Sequence, residues 1–153
     1  NNWKRKSKTI GVIEPITVEP FGTVTAKVDT GNFGYNVIDA RKIEINDNYV
    51  TFKSNGKKHK EKIIKFAKIN VGSGVLENRP VIKLNTVFYG KDLGGVLYSL
   101  TSRRDNDYKI LLSKDFLSSH GYLVDVNRTY LTDTNESKIN EAFEKNLLKG
   151  IKK

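Results

Sequence analysis

The triplet Asp29-Thr30-Gly31 joins a carboxylate, a hydroxyl and a glycine at the end of the alternating segment VTAKVD. A carboxylate in such a place can act in hydrolysis if a second carboxyl group shares its proton, one serving as base on water and the other as acid. One triplet in the chain implies a two-fold dimer in which each subunit supplies one Asp29. The same residues also suit an Asx-turn, in which Gly31 lets the backbone turn. Residue types and spacing leave both interpretations open.

Composition limits the other kinds of chemistry. The 153-residue chain has no cysteine, which excludes disulfides, thiolate metal ligands and cysteine nucleophiles. Hydrophobic residues make up 37% and charged residues 29%, as in a globular domain. The net charge of +10 favours anionic partners in general, but it concerns solubility and encounter rather than fold. No apolar run reaches the ~20 residues of a membrane helix and no secretory signal opens the chain, so we expect no membrane partner and a cytoplasmic or virion-associated location.

Short β-type runs separated by Gly, Asn and Asp fill the chain from residue 9 to about residue 132. In VTAKVD, the apolar residues Val24, Ala26 and Val28 alternate with polar ones and predict a strand with one apolar face. The pair Asn55-Gly56 lies between two strand-like arms and predicts a hairpin with a type I′ turn. The pattern predicts an all-β domain.

The two ends of the chain differ from this body. Residues 1–8, NNWKRKSK, predict a basic N-terminal arm. Residues 133–153 predict one C-terminal amphipathic α-helix, because an apolar residue recurs at every fourth position, namely Ile139, Phe143, Leu147 and Ile151. The predicted organisation is therefore an arm (1–8), a β domain (9–132) and a C-terminal helix (133–153).

Four segments, in this order along the chain, resemble a known family. KVDTG resembles the Asp-Thr-Gly signature of retropepsin-like aspartic proteases. The motifs that follow are similar to those of a branch of bacterial and phage proteins labelled "ATP-dependent zinc protease", which have an RPVI strand, a run like LTDRSxMxFPMLLGRxFL and a VD strand. The matching segments here are residues 79–82 (RPVI), 100–117 (LTSRRDNDYKILLSKDFL) and 122–131 (YLVDVNRTYL). The resemblance covers roughly residues 8–132.

This resemblance implies a fold and roles for individual residues. The fold would be a retropepsin-like (acid protease) closed barrel of short strands. Asp29 would be the catalytic carboxylate, Thr30 would hold the two loops together across a homodimer, and Gly31 would leave room for substrate. Leu111 and Leu112 would be an apolar pair whose strand passes under the Asp loop. The substrate-binding residues would be Asn32, Phe33, Gly34, Leu111 and Leu112.

Two further expectations concern the surroundings of this site. Either the Asn55-Gly56 hairpin or the loop around Gly72-Ser73-Gly74 would lie where such proteins place a flap. Phe33 and Tyr35 follow an apolar strand, and we expect aromatic residues in that position to fill the core.

The chain departs from the family pattern close to the apolar pair. Ser113 stands in place of the family glycine, Lys114 in place of its arginine and Ser102 in place of its aspartate. A serine adds bulk where backbones cross closely, and lysine does not reproduce the bidentate pairing of arginine. These departures favour an alternative, in which the same fold is a catalytically weak or inactive structural or binding protein, for example a phage virion or assembly component.

The leading interpretation is a metal-free aspartic endopeptidase, acting as a homodimer on a peptide or protein, without a cofactor. One Asp29 would deprotonate the attacking water and the other would protonate the leaving nitrogen. Two carboxyl groups about 3 Å apart cannot both be ionised, so an acidic optimum is expected. The motifs do not support the zinc and ATP of the family label, because His59 and His120 are far apart in sequence and the chain has neither HExxH nor a phosphate-binding glycine loop.

Residues 53–68, KSNGKKHKEKIIKFAK, carry seven lysines and one glutamate. Such a stretch can track phosphates, but it has no arginine for base readout and few aromatic residues for stacking. Lysines also keep an exposed edge hairpin soluble. Nucleic acid is therefore a partner with weaker support than the peptide substrate, as are other virion or assembly proteins.

Overall fold

The computed structural model describes residues 8–103 and 107–132 of the chain. These residues form twelve strands and one short helix, in the order β1 (Lys8–Ile10), β2 (Ile13–Val18), β3 (Gly22–Asp29), β4 (Asn36–Asp39), β5 (Arg41–Asn46), β6 (Tyr49–Ser54), β7 (Lys57–Lys62), β8 (Lys65–Gly72), β9 (Val75–Phe88), β10 (Lys91–Thr101), β11 (Ile110–Ser113), α1 (Lys114–Ser119) and β12 (Tyr122–Val124). The described residues are thus mostly β, which confirms the predicted all-β fold class.

Seven strands form the main sheet, in the order β10-β4-β11-β3-β2-β9-β8. β10 pairs in parallel with β4 and also antiparallel with β9. β11 lies between β3, to which it is parallel, and β4, to which it is antiparallel. Because β3 and β11 are parallel and in register, their carboxyl ends meet at the same edge of the sheet.

The alternation of β3 directs its apolar residues into the core, as predicted. Ala26 is fully buried, and Val24 and Val28 pack against the same cluster. Large buried side chains from other strands and from α1 complete the cluster, and burying each contributes about 1.5–3 kcal/mol. Since successive side chains of a strand alternate between faces, Lys27 and Asp29 lie on the opposite face and point away from the core.

A second, three-stranded sheet has the order β5-β6-β7. The turn between β6 and β7 has φ values of 50° at Asn55 and 74° at Gly56, both in the left-handed region that a type I′ turn requires. This confirms the predicted hairpin. The hairpin is attached to the main sheet through Phe21, whose ring lies 5.5 Å from that of Phe52 and whose carbonyl accepts a 2.8 Å hydrogen bond from Asn55 Nδ2.

The segment after β12 is held against the N-terminal strands by Glu14. This side chain is fully buried, and its carboxylate accepts hydrogen bonds from the backbone N–H groups of Gly11 (2.6 Å), Leu131 (2.9 Å) and Thr132 (3.0 Å) and from the Thr132 hydroxyl (2.8 Å). Gly11 permits the close approach of the two segments, because a Cβ atom there would lie 2.4 Å from the carbonyl oxygen of Arg128. Glu14 therefore joins two parts of the chain that are distant in sequence.

Several expectations concern the ends of the chain. Lys8, assigned to the basic arm, is the first residue of β1. The rest of that arm and the predicted helix 133–153 lie outside the described residues. The short helix α1 has no counterpart among the elements predicted from the sequence. Across 8–103 and 107–132, no helix combines the length and the apolar character needed to cross a membrane.

Candidate active site

The Asp29-Thr30-Gly31 triplet forms a tight turn at the end of β3. The N–H of Asn32 donates a 3.1 Å hydrogen bond to the carbonyl oxygen of Asp29, which closes the turn. Asp29 is partly buried, whereas Thr30 and Gly31 are exposed. A Cβ atom at Gly31 would meet Asp29 Oδ1 at 3.5 Å. The bare side of Gly31 therefore faces the carboxylate.

β11 positions this turn from the neighbouring strand. Leu111, Leu112 and Ser113 lie beside Lys27, Val28 and Asp29 in the parallel register. Beyond the last pair, the N–H of Lys114 donates a 2.7 Å hydrogen bond to the carbonyl oxygen of Asn32. The turn is thus bonded both to itself and to the start of α1.

Ser113 has a local role that accounts for a serine at this position. Its side chain is buried, and its hydroxyl accepts a 3.1 Å hydrogen bond from the N–H of Phe116, so Ser113 is the N-cap of α1. Serine is among the best N-cap residues because it satisfies an N–H group that has no partner within the helix. Its own N–H donates a 2.8 Å hydrogen bond to Asn36 Oδ1. Ser113 therefore connects β11, β4 and the helix.

Asp29 lies on a cavity of about 510 Å³, which we call the Asp29 cavity. Its lining comes from the turn, from β11 and β4, and from β8, β9 and the end of β10, and includes Asp29, Gly31, Phe33, Val37, Ile69, Glu77, Arg79, Thr101, Arg103 and Leu111. Of the predicted apolar pair, Leu111 lines the cavity, whereas Leu112 is fully buried in the core. The prediction that Leu112 contacts substrate is therefore wrong, because side chains alternate along β11 and this one points inward.

The cavity lining also carries an ion pair. Glu77 Oε1 lies 3.2 Å from Arg79 Nε and accepts a 2.8 Å hydrogen bond from the Thr101 hydroxyl. Burial by itself would raise the pKa of Glu77, but the hydrogen bonds from Thr101 and Arg79, together with the charge of Arg79, hold this pKa below its ordinary value of 4.5. Glu77 is therefore a carboxylate at neutral pH and ties β9 to β10.

Arg103 adds a second cation at the rim of the cavity. The backbone N–H of Arg103 donates a 2.6 Å hydrogen bond to Asp39 Oδ1, and the side-chain Nε of Arg103 donates a 2.9 Å hydrogen bond to the carbonyl oxygen of Tyr108. Burial lowers the pKa of the Arg103 guanidinium, the carboxylates of Asp29 and Asp39 oppose this shift, and the positive charge of Arg79 adds to it. Arg103 and Asp29 line the same cavity.

The four residues after the triplet have different surroundings. Phe33 is 64% exposed at the cavity, with the Lys114 amine 5.3 Å from its ring centre. The expectation that Phe33 fills the core is therefore wrong, because the chain has already left β3 for the surface. Asn32 borders the cavity but uses its side chain to bond Tyr35 and Gly34 backbone. Gly34 lines a neighbouring cavity of about 500 Å³, and Tyr35 lines both.

The two hairpins considered as flaps lie in different places. Ile69 of β8 and Glu77 of β9 line the Asp29 cavity, and the hairpin that these strands form ends at residues 72–74. Val75, two residues from Glu77 on the same face of β9, is 57% exposed. The Asn55-Gly56 turn instead packs against Phe21, next to the first residue of β3. The β8–β9 hairpin is therefore the one that borders the site.

Part of the cavity lining was not predicted from the sequence, namely the polar wall formed by Glu77, Arg79, Thr101 and Arg103. Spacing in ENRPV does indicate that Glu77 and Arg79 share a face of a strand. The pairing that brings this face to Asp29 is non-local, however, and sequence alone did not supply it. Among the described residues, no group of three or more His, Asp or Glu side chains is arranged to hold a metal ion.

Comparisons with known proteins inform the fold. No family model and no curated protein matches the sequence. Among solved structures, the chain is similar to Lpg0085, a protein of unknown function from Legionella pneumophila, with a TM-score of 0.67 and 24% identity over 84% of this chain and 100% of that chain. This similarity shows a shared fold. It assigns no chemistry to the Asp29 cavity.

Proposed function

We propose that the protein is a retropepsin-like aspartic endopeptidase that acts as a homodimer, with one Asp-Thr-Gly loop per subunit. The observation that carries this proposal is the position of Asp29, in an exposed turn at a cavity of about 510 Å³ and beside the uncovered side of Gly31. The resemblance of the four sequence segments to retropepsin-like proteases agrees with this geometry. The substrate is a peptide or protein segment, and no cofactor takes part.

The mechanism follows from two Asp29 carboxyl groups that share one proton across the dimer axis. The ionised carboxylate takes a proton from water as the water oxygen attacks the peptide carbonyl carbon. The protonated partner then donates its proton to the leaving nitrogen, so the pair ends the reaction with one proton, as it began. Thr30 contacts the loop of the other subunit, and Leu111 and Phe33 border the peptide. Activity is highest at acidic pH, where the shared proton is retained.

We also infer that six strands close into a barrel of the retropepsin type. Their pairings run from β10 through β4, β11, β3, β2 and β9 and back to β10. A ring of pairings leaves none of the six strands with a free edge. Such a barrel would hold the ends of β3 and β11 rigidly, which is what a catalytic carboxylate needs.

A mixing experiment tests the shared site directly. Peptide cleavage is measured for wild type, for Asp29→Asn and for wild type with a growing excess of Asp29→Asn. We expect no cleavage by the variant alone, and a loss of wild-type activity on mixing, because a mixed dimer has one carboxylate. Asp47→Asn, the same chemical change in the β5–β6 turn, is the control and should not inhibit. Sedimentation across protein concentrations checks that dimers form.

The outcomes separate the possible readings of the site. Cleavage that survives an excess of Asp29→Asn would contradict a site shared between subunits. A protein that stays monomeric at every concentration would overturn the proposed dimer. Cleavage by Asp29→Asn alone would show that a different group carries the reaction.

The second candidate is the same fold serving as an inactive structural or binding protein, for example in a virion or assembly. The observation that favours it is Ser113, which stands in place of the family glycine and has a structural role as the buried N-cap of α1. A stable dimer without cleavage of any peptide over the acidic range would favour this candidate.

A further inference from the structure

The three-stranded sheet has one face against the main sheet and one face in solvent. Phe52 and Ser54 are buried on the inner face. On the outer face, Arg41, Lys53 and Lys58 are direct cross-strand neighbours in β5, β6 and β7. All three are exposed. They form a row of like charges across the full width of the sheet.

Repulsion within this row lowers the stability of the sheet, and protection of the sheet edges against aggregation does not account for all three charges. Like charges directly opposite each other in a sheet destabilise it. Lysines on edge strands prevent edge-to-edge aggregation, which accounts for Lys58 on β7. Lys53, however, is on β6, the central strand, where both edges are already paired. A ligand that neutralises the row would remove this repulsion.

Two cavities lie along the same face, and both are lined by Lys42 and Lys53. One, of about 430 Å³, is also lined by Arg41, Lys109 and Asp39, and the other, of about 240 Å³, by Lys58 and Glu44. Lys42 has a φ of 52°, within the irregular pairing between β5 and β6. This left-handed conformation is unfavourable for lysine, and such conformations cluster at ligand sites.

The face also offers an aromatic ring. Tyr49 is 45% exposed, and the amine of Lys60 lies 5.0 Å from its ring centre. Tyr49 and Lys53 share the outer face of β6, because they are four residues apart along the strand. Carboxylates near the face are few: Glu44 lies opposite Thr51, and Asp39 is paired with Arg41 at 3.3 Å.

We propose that this outer face, defined by Arg41, Lys42, Tyr49, Lys53, Lys58 and Lys60 and here called the cationic face, binds single-stranded nucleic acid. The row of cations takes the phosphates, and Tyr49 provides a platform on which an unpaired base stacks. A duplex keeps its bases stacked on each other, and a peptide of Asp and Glu residues has no aromatic ring to stack on Tyr49. Both ligands therefore use less of the face than a single strand does.

The test is fluorescence anisotropy with a labelled oligothymidylate of about 16 nucleotides, near the upper limit of sites on small binding domains. The variant Lys53→Gln, Lys58→Gln, Lys60→Gln should weaken binding at least about tenfold and reduce the slope of log affinity against log salt by about 2. The control Lys57→Gln, Lys68→Gln, Lys91→Gln removes the same charge at exposed positions off the face. It should bind within about twofold of wild type.

Two further variants separate charge from stacking. Replacing Lys53, Lys58 and Lys60 with arginine keeps the charge and should preserve binding, which also guards against a folding defect in the glutamine variant. Tyr49→Leu should weaken binding by about fivefold or more while leaving the salt slope unchanged, because stacking does not release counterions.

Three results would overturn the proposal. The first is no binding by wild type near physiological salt, and the second is equal weakening of binding by the on-face and off-face triple variants. The third is displacement of the labelled oligonucleotide by polyglutamate at the same charge concentration at which unlabelled oligonucleotide displaces it. The two cavities along the cationic face share no lining residue with the Asp29 cavity. Asp29→Asn should therefore bind the oligonucleotide as wild type does, whether or not the proposed protease activity is found.

Discussion

Asp29 and Ser113 are direct neighbours in the parallel register of β3 and β11, and each is the last residue of its strand. From this shared end, the chain after Asp29 turns back on itself, while the chain after Ser113 enters α1. The N–H of Lys114 then bonds the carbonyl of Asn32, which joins the two exits at 2.7 Å. The position of the Asp29 carboxylate therefore depends on how β11 ends.

Ser113→Ala should lower the free energy of unfolding by about 1 kcal/mol, because it removes the hydroxyl that accepts the Phe116 N–H. Ser113→Gly should lower the free energy of unfolding by only about a few tenths of a kcal/mol, since glycine is a tolerated N-cap. Urea denaturation followed by circular dichroism measures both. Ser118→Ala, at an exposed position of the same helix, is the control and should change stability by less than about 0.5 kcal/mol. A larger loss for Gly than for Ala would contradict the capping role.

The parts of the fold that sequence predicted are those set by local pattern. Val24, Ala26 and Val28 define one face of β3 by alternation. Asn55-Gly56 defines the turn between β6 and β7 by the left-handed conformations that these two residues tolerate. α1 was missed because six residues are too few to show a helical period. A serine followed two residues later by an aspartate was the available signal, and it is common outside helices.

The candidate site was predictable in part for a similar reason. Asp29 and Leu111 follow from the motif and the apolar pair, whereas Leu112 was assigned to the wrong side because a pair of leucines does not tell which one faces inward. The wall formed by Glu77 and Thr101 depends on the pairing of β9 with β10. No local sequence pattern predicts that these two strands lie near Asp29.

Glu14→Gln should be strongly destabilising, by about 3 kcal/mol. The carboxylate has four donors at its two oxygens, and an amide would present N–H groups to two of these donors. The buried position leaves no water to compensate. Chemical denaturation measures the loss, with exposed Glu19→Gln as the matched control. A loss of under about 1 kcal/mol would mean that Glu14 does not hold the segment after β12 in place.

Glu77→Gln should show a pH-dependent effect on stability. The pKa of Glu77 in the folded protein is below its ordinary value of 4.5, so its contribution is complete above that pH and is lost as pH falls through the lower, folded value. The side chain is 42% exposed, so we expect a difference of only roughly 0.5 kcal/mol at neutral pH. Urea titrations at several pH values measure the difference from wild type. The difference should shrink on acidification. A difference that grows on acidification would contradict a lowered pKa of Glu77 in the folded protein.

Gly31→Ala and Gly34→Ala form a matched pair that tests the site separately from the fold. Neither glycine has a positive φ, and an added Cβ would meet Asp29 Oδ1 at 3.5 Å in one case and Asn32 Oδ1 at 3.6 Å in the other. Both are ordinary contact distances, so the free energy of unfolding of each variant should be within about 0.5 kcal/mol of the wild-type value.

Cleavage should respond differently in the two variants. The methyl group of Gly31→Ala occupies the space beside the carboxylate that water and substrate must enter, and kcat/KM should fall at least about tenfold, since small misplacements at a reacting group are costly. Gly34→Ala crowds an amide that already bonds the loop backbone, and its kcat/KM should stay within about threefold of wild type. Equal losses in the two variants would indicate that the loop as a whole, and not the access to Asp29, limits the reaction.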